Sequence, residues 1–174
     1  LGIESAQDRT LRSMKKGFDT AAIRRHFEVL RQTRMHLHGY FILGNIGESR
    51  QDMRQILPFA RELGLDTIAL SALRASPYSG LDELVAATPG YYVAPSGRIY
   101  SEACSKSDLR TVRDEINRGF YGATHLLAVL RKLYLNGWGP VFLGTLPRLP
   151  GIVWNTAAHR FRRARHRARR RAHR

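Results

Sequence analysis

Two short strings in this chain place polar side chains where apolar runs stop. Glu4-Ser5 closes the run Leu1-Gly2-Ile3, and Gly44-Asn45-Ile46-Gly47-Glu48-Ser49 closes the run from Met35 to Leu43. A carboxylate and a hydroxyl at one such end accept from and donate to ribose hydroxyls or an ammonium group. A glycine turn at the other lets a flat ring approach the backbone, because no Cβ stands in the way. Taken singly, these features read more readily as a helix N-terminus and an ordinary loop. His36 and His38 lie two apart on an extended run and share a face, but no third zinc ligand is near, so they read as sheet-face residues. Cys104 is the only cysteine. One thiol closes no internal disulfide and by itself holds neither zinc nor an iron–sulfur cluster.

The elements that must position these residues follow from hydrophobic spacing. Leu11 and Met14 predict a helix from about Ala6 to Lys16, capped by Ser5 and stopped by Gly17. Asp19 or Thr20 caps a second helix carrying Ala22, Ile23, Phe27, Val29 and Leu30. The nearly unbroken apolar run from Met35 to Leu43 predicts a strand buried on both faces. Ser49 caps a third helix through Met53, Ile56, Phe59 and Leu63 to Gly64, with Pro58 kinking it. Leu65–Leu73 is a further strand, residues 74–106 are loop-rich, and Ser107 or Asp108 caps a helix to about Arg118. A last helix runs from Phe120 or Gly122 to Leu135. Strand, helices, strand, helix, strand means a parallel sheet with crossovers. Its three carboxyl ends, Glu4-Ser5, Gly44–Glu48 and Ser71–Arg74, then share one rim, where parallel sheets bind ligands.

The 174 residues are 43% hydrophobic and 25% charged, which fits a globular body and argues against a disordered or fibrous chain. No run of about 18 apolar residues is present, and no basic-then-apolar leader, so a cytoplasmic location is the expectation. The chain begins without Met inside a predicted strand, which leads to the expectation of a fragment. Net charge is +15, but residues 159–174 alone hold nine Arg, three His and no acid. The remaining 158 residues carry 20 Lys and Arg against 14 Asp and Glu, so the high pI is largely a property of the tail.

Leu1-Gly2-Ile3-Glu4-Ser5, then Leu11-x-x-Met14-x-Lys16-Gly17, then His38-Gly39-Tyr40-Phe41-Ile42-Leu43-Gly44-Asn45-Ile46-Gly47-Glu48-Ser49 together resemble radical S-adenosylmethionine enzymes. The likeness is greatest to the branch that often carries a cobalamin-binding domain ahead of the barrel, and it covers residues 1 to about 85. It implies an α/β fold: the last three βα units of a partial (β/α) TIM-type barrel, followed by a helical extension and a basic tail. The family's [4Fe-4S] cluster reductively cleaves S-adenosylmethionine to a 5′-deoxyadenosyl radical, and cobalamin members often transfer methyl groups. The resemblance places Glu4 and Ser5 near the ligand's ribose or methionyl part, Lys16 near its carboxylate, Ile42 and Gly44 at adenine, and Leu73 packing on the same ring. The C-x-x-x-C-x-x-C triad and the glycine-rich segment that clamps the ligand's amino group are absent, and Ile46 stands where the family often has Pro. The chain alone is therefore expected to be inactive, as the C-terminal half of an enzyme with an unassigned small-molecule substrate.

On this reading residues 1–85 are half a barrel, 86–106 a connection, 107–158 a helical extension and 159–174 a tail expected to be disordered. Tyr91, Tyr92 and Tyr100 read as surface aromatics of the connection. The competing reading is a non-catalytic basic module that attaches to a membrane surface or nucleic acid through its C-terminal region. Such a tail makes peripheral membrane or other polyanion contact, and no specific nucleic-acid motif is present.

Overall fold

The computed structural model describes residues 1–76 and 80–145. The chain divides into two units, residues 1–130 and 131–174. The first is an α/β layer. Strands β1 (Gly2–Glu4), β2 (His38–Leu43) and β3 (Thr67–Ala72) form a parallel sheet in the order β1-β2-β3. Helices α1 (Asp8–Ser13) and α2 (Thr20–Leu30) connect β1 to β2, and α3 (Arg50–Arg54) and α4 (Ile56–Glu62) connect β2 to β3. The α/β class and the parallel order agree with the sequence pattern.

Local chemistry explains the boundaries. Asp19 caps α2 by accepting the Ala22 N–H at 2.7 Å, and Ser49 caps α3 through a reciprocal capping box with Asp52. The predicted third helix is two helices, broken at Gln55. Pro58 has no N–H to give the Arg54 carbonyl and its ring crowds that carbonyl, so the break falls where the lost bond would have been. Gly64 at φ +67° then ends α4, where a left-handed conformation is cheap only for glycine. The first helix departs from expectation: it begins at Asp8, and Gln7, not Ser5, occupies the cap position without a side-chain bond.

The strand from His38 is not buried on both faces. Gly39, Phe41 and Leu43 are buried, whereas His38 and Tyr40 are exposed and Ile42 is half-buried. The helices that connect the strands cover one face: Leu11, Ile23, Phe27, Met53, Ile56, Phe59 and Leu63 join Phe41 and Leu43 in a single core. The other face carries His38, Tyr40 and Ile42 beside their β3 partners Thr67, Ala69 and Ser71. Tyr40 donates to Ser71 Oγ at 2.7 Å, and His36 and His38 both meet Thr67 Oγ1, at 2.9 and 2.8 Å. His38 is thus a sheet-face residue at the amino end of β2, whereas His36 precedes the strand and reaches the same Thr67 hydroxyl from outside the sheet.

The two outer edges of the sheet differ. At β3 the Tyr121 hydroxyl accepts the Ile68 N–H and donates to the Ile68 carbonyl, both at 2.9 Å. His125 Nε2 lies 3.0 Å from the Asp66 carbonyl, and the Ile99 N–H donates to Leu73 O. Side chains and a hairpin therefore occupy the edge at Asp66, Ile68 and Leu73, where another strand would pair. Among the described residues, β1 has no strand partner besides β2.

The stretch expected to be loop-rich contains regular structure. Helix α5 (Leu81–Ala87) precedes an antiparallel hairpin of β4 (Tyr91–Val93) and β5 (Ile99–Ser101). Tyr100 is buried in the core, contrary to its reading as a surface aromatic. Helix α6 (Lys106–Phe120) is capped by Ser105, two residues ahead of the expected start, and buries Leu109, Val112, Ile116 and Phe120 in the sheet's core. Helix α7 (Ala123–Leu133) crosses the unit boundary. In the second unit a π-turn (Tyr134–Trp138) leads to helix α8 (Gly139–Thr145). The arginine tail and most of the Trp138–Trp154 stretch lie outside the described residues.

Replacing Tyr121 with Phe strands a β3 donor and a β3 acceptor together. It is expected to lower unfolding stability by about 1–3 kcal/mol, measured by urea titration; an unchanged midpoint would show that the Tyr121 clamp carries no weight.

Candidate functional site

The carboxyl ends of the three strands lie on one edge of the sheet, as parallel order requires. β1 ends in a tight turn at Glu4, which sits at φ +71° while the Ser5 N–H donates to Ile3 O at 2.9 Å. Such a three-residue turn is strained for a residue with a side chain. The Glu4 carboxylate folds back over Gly2, where a Cβ would lie 2.8 Å from Oε1. Lys16 Nζ donates to that Oε1 at 2.9 Å. Glu4 Oε2 is buried with no hydrogen-bond partner.

The end of β1 is tied to the end of β2 by Glu48, which is only 6% exposed. Its Oε2 accepts the Gly44 N–H at 3.0 Å, the Asn45 N–H at 3.1 Å and the Asn45 side-chain amide at 3.3 Å. Its Oε1 lies 3.4 Å from the Ser5 hydroxyl, and Ser5 Oγ in turn accepts the Gln7 N–H. Burial pushes the Glu48 carboxyl up to about 7, against the pull of the N–H groups that favour its charged form. Near neutral pH this knot holds or releases a proton.

Gly44 at φ +76° and Gly47 at φ +79° make the β2 turn possible, and the Tyr91 hydroxyl from the hairpin accepts the Gly47 N–H at 2.8 Å. The place of a Gly44 Cβ is bounded by the Leu109 side chain at 3.0 Å, so this glycine serves the turn and the packing of α6.

Beside the knot lies a cleft of about 710 Å³, lined by the end of α1 (Ser13, Met14, Lys15), the β2 turn (Asn45, Ile46), Leu73 and the start of α5 (Leu81, Leu84). Asn45 is 3% exposed, and its amide donates to Ile42 O at 3.0 Å. Its Oδ1 has no partner. Asn45 belongs to the wall of the cleft, and leaving its buried acceptor unpaired costs about 1–3 kcal/mol.

Of the residues singled out from sequence, Ser5 and Gly44 meet through Glu48, and Glu4 meets Lys16. Leu73 lines the cleft, while Ile42 packs with it in a small apolar cluster with Val85 and Ile99. Gly44, Ile42, Glu4 and Lys16 are not among the cleft-lining residues. Sequence reasoning passed over Asn45 and Glu48, although both are polar residues inside the Gly44–Gly47–Ser49 turn it had noted. No group of three or more His, Cys, Asp or Glu able to hold a metal occurs among the described residues. Burial raises the Cys104 thiol, which makes it a poorer nucleophile and ligand.

The chain matches no known family model and no curated protein. The site must therefore be read from its own geometry.

Glu48 yields a signed pH dependence. Its folded value lies above the 4.5 of an ordinary glutamate, so the folded state binds the proton more tightly than the unfolded chain. Its stabilising contribution is complete below pH 4.5 and is lost as pH rises through about 7. Relative to Glu48→Gln, the native chain is expected to lose up to about 3 kcal/mol of unfolding free energy across that window. Parallel pH profiles for the two proteins would contradict this.

Proposed function

We propose that this chain is the C-terminal half of a radical S-adenosylmethionine barrel, comprising its last three βα units, and that its rim contacts the nucleoside side of S-adenosylmethionine. The observation that carries this reading is the buried, unpaired Asn45 Oδ1 in the wall of a cleft at the carboxyl edge, with an unpaired Glu4 oxygen at the neighbouring strand end. Both are acceptors, and a ribose or an adenine amino group supplies donors.

The two edges of the sheet support the same reading. A barrel whose last strand is β3 needs no further pairing there, and Tyr121 and the hairpin occupy that edge. Further βα units would join at β1, where a groove of about 530 Å³ is lined by Ile3, Phe18, Ile23, Phe27 and Leu30. Those residues offer an apolar wall against which another helix and strand would pack.

The iron–sulfur cluster does not fit these residues. One buried cysteine cannot ligate it, and no step through it is assigned to this chain. The polar atoms of Glu4, Lys16 and Asn45 support a place for the sulfonium ligand. When bound, it supplies the radical chemistry of the family. This chain's part is to bind and orient: Glu4 and Asn45 accept from the ligand, Lys16 offers its remaining ammonium hydrogens to a carboxylate, and Leu73 gives an apolar surface to a ring.

Two measurements test the proposal. The coding sequence upstream of Leu1 is expected to encode C-x-x-x-C-x-x-C in frame within about one domain length, roughly 100–200 residues; a stop and a start codon immediately before Leu1 would contradict it. In the complete protein, Glu4→Gln and Asn45→Ala are each expected to weaken S-adenosylmethionine binding about tenfold by calorimetry, while His36→Ala, at the amino edge, leaves it unchanged. Loss in His36→Ala with no change in the other two would place the ligand at the wrong end of the strands.

A further inference from the structure

The charge of this chain is partitioned along its length. All 14 acidic residues fall within the first 115, where they meet 16 Lys and Arg, whereas the last 59 residues hold 13 Lys and Arg and no acid. The same acid-free segment also holds both tryptophans, Trp138 and Trp154. Its described part runs from Ile116, at the end of α6, through α7 to α8.

Helix α7 carries apolar side chains on its outward side as well as its inner one. His125, Val129 and Leu133 are half-buried, and the His125 ring lies 4.4 Å from the Phe120 ring. The outward side presents Leu126, Leu127 and Leu130, which are 45%, 66% and 50% exposed. At one hundred degrees per residue these three fall on one stripe. In the second unit Tyr134, Leu135, Trp138 and Val141 are all more than half exposed as well. No helix among the described residues is long and apolar enough to cross a membrane.

We propose that the segment from α7 onward is a peripheral membrane anchor: its exposed leucines and aromatics enter the interface of an anionic lipid bilayer, and its basic residues engage the headgroups. Large apolar side chains on one helical stripe, tryptophan and tyrosine nearby, and a run of cations without acids are what a helix lying in a membrane interface requires. An anionic surface attracts each basic residue near it, so a tail of nine arginines is a large attractive element. Charge complementarity selects the lipid. A nucleic acid would also draw the arginines, but it makes no use of a leucine stripe on the helix beside them.

Vesicle sedimentation of the full chain decides the matter, with phosphatidylcholine alone and phosphatidylcholine mixed with phosphatidylserine as probes. Binding is expected to the mixed vesicles and not to the neutral ones, and to weaken as salt is raised. The double variant Leu127→Gln/Leu130→Gln, which alters no charge, is expected to reduce it about tenfold. Met35→Gln, which removes an equally exposed apolar side chain elsewhere, is expected to leave it unchanged. Removing residues 159–174 should abolish the preference for phosphatidylserine. Circular dichroism checks that each variant is folded. The proposal is overturned if the leucine variant binds as the native chain does, if neutral vesicles bind equally well, or if duplex RNA displaces the chain from vesicles as effectively from native protein as from the leucine variant. The last result would identify a polyanion tail with no membrane insertion.

Discussion

The buried Glu48 carboxylate holds the ends of two parallel strands in register with each other. Hydrogen bonds along β1 and β2 align the strands but leave their last carbonyls and amides without ladder partners. Glu48 gathers the Gly44 and Asn45 amides onto one oxygen and faces the Ser5 hydroxyl with the other. The turn after β2 can then adopt left-handed conformations at both glycines, and the turn after β1 can keep Glu4 strained over Gly2. Without that buried acceptor, the amides would be unpaired in an apolar setting, at a cost comparable to a sizeable part of a domain's net stability.

Much of the fold was legible in the sequence because it rests on local patterns. The caps at Asp19 and Ser49, the stop at Gly64 and the strand runs ending at Leu43 and Leu73 each announce themselves within a few residues. Their order implied a parallel sheet before any coordinate was known. Tertiary contributions were not legible. The run around Phe41 reads as buried on both sides because Tyr40 and Ile42 are apolar by type, yet the connecting helices cover the Phe41 face and leave Tyr40 exposed. The hairpin from Tyr91 to Ser101 was hidden by three-residue strands too short to show alternation.

The site was partly legible. Glu4, Ser5 and Gly44 lie at strand ends, a place that the order of strands and helices in the sequence already implies. Asn45 and Glu48 were missed for a physical reason: nothing in a single sequence distinguishes a turn residue pointing to solvent from one buried at 3% or 6% exposure. Their importance comes from orphaned and shared hydrogen bonds, which exist only once the strands are side by side. The cleft likewise depends on α5, whose start at Leu81 lay in a stretch rich in turn-formers.

The central claim is that the carboxyl edge of the sheet, and not its open face or its amino edge, receives an adenosyl ligand. Amide chemical shifts of the ¹⁵N-labelled chain during titration with S-adenosylmethionine test it directly. The account predicts that the Asn45 side-chain amide and the Ser5, Gly44 and Gly47 backbone amides move together and saturably while those of His36 and His38 stay fixed. Saturable shifts confined to the histidine end, or none at Asn45 under saturating ligand, would contradict it.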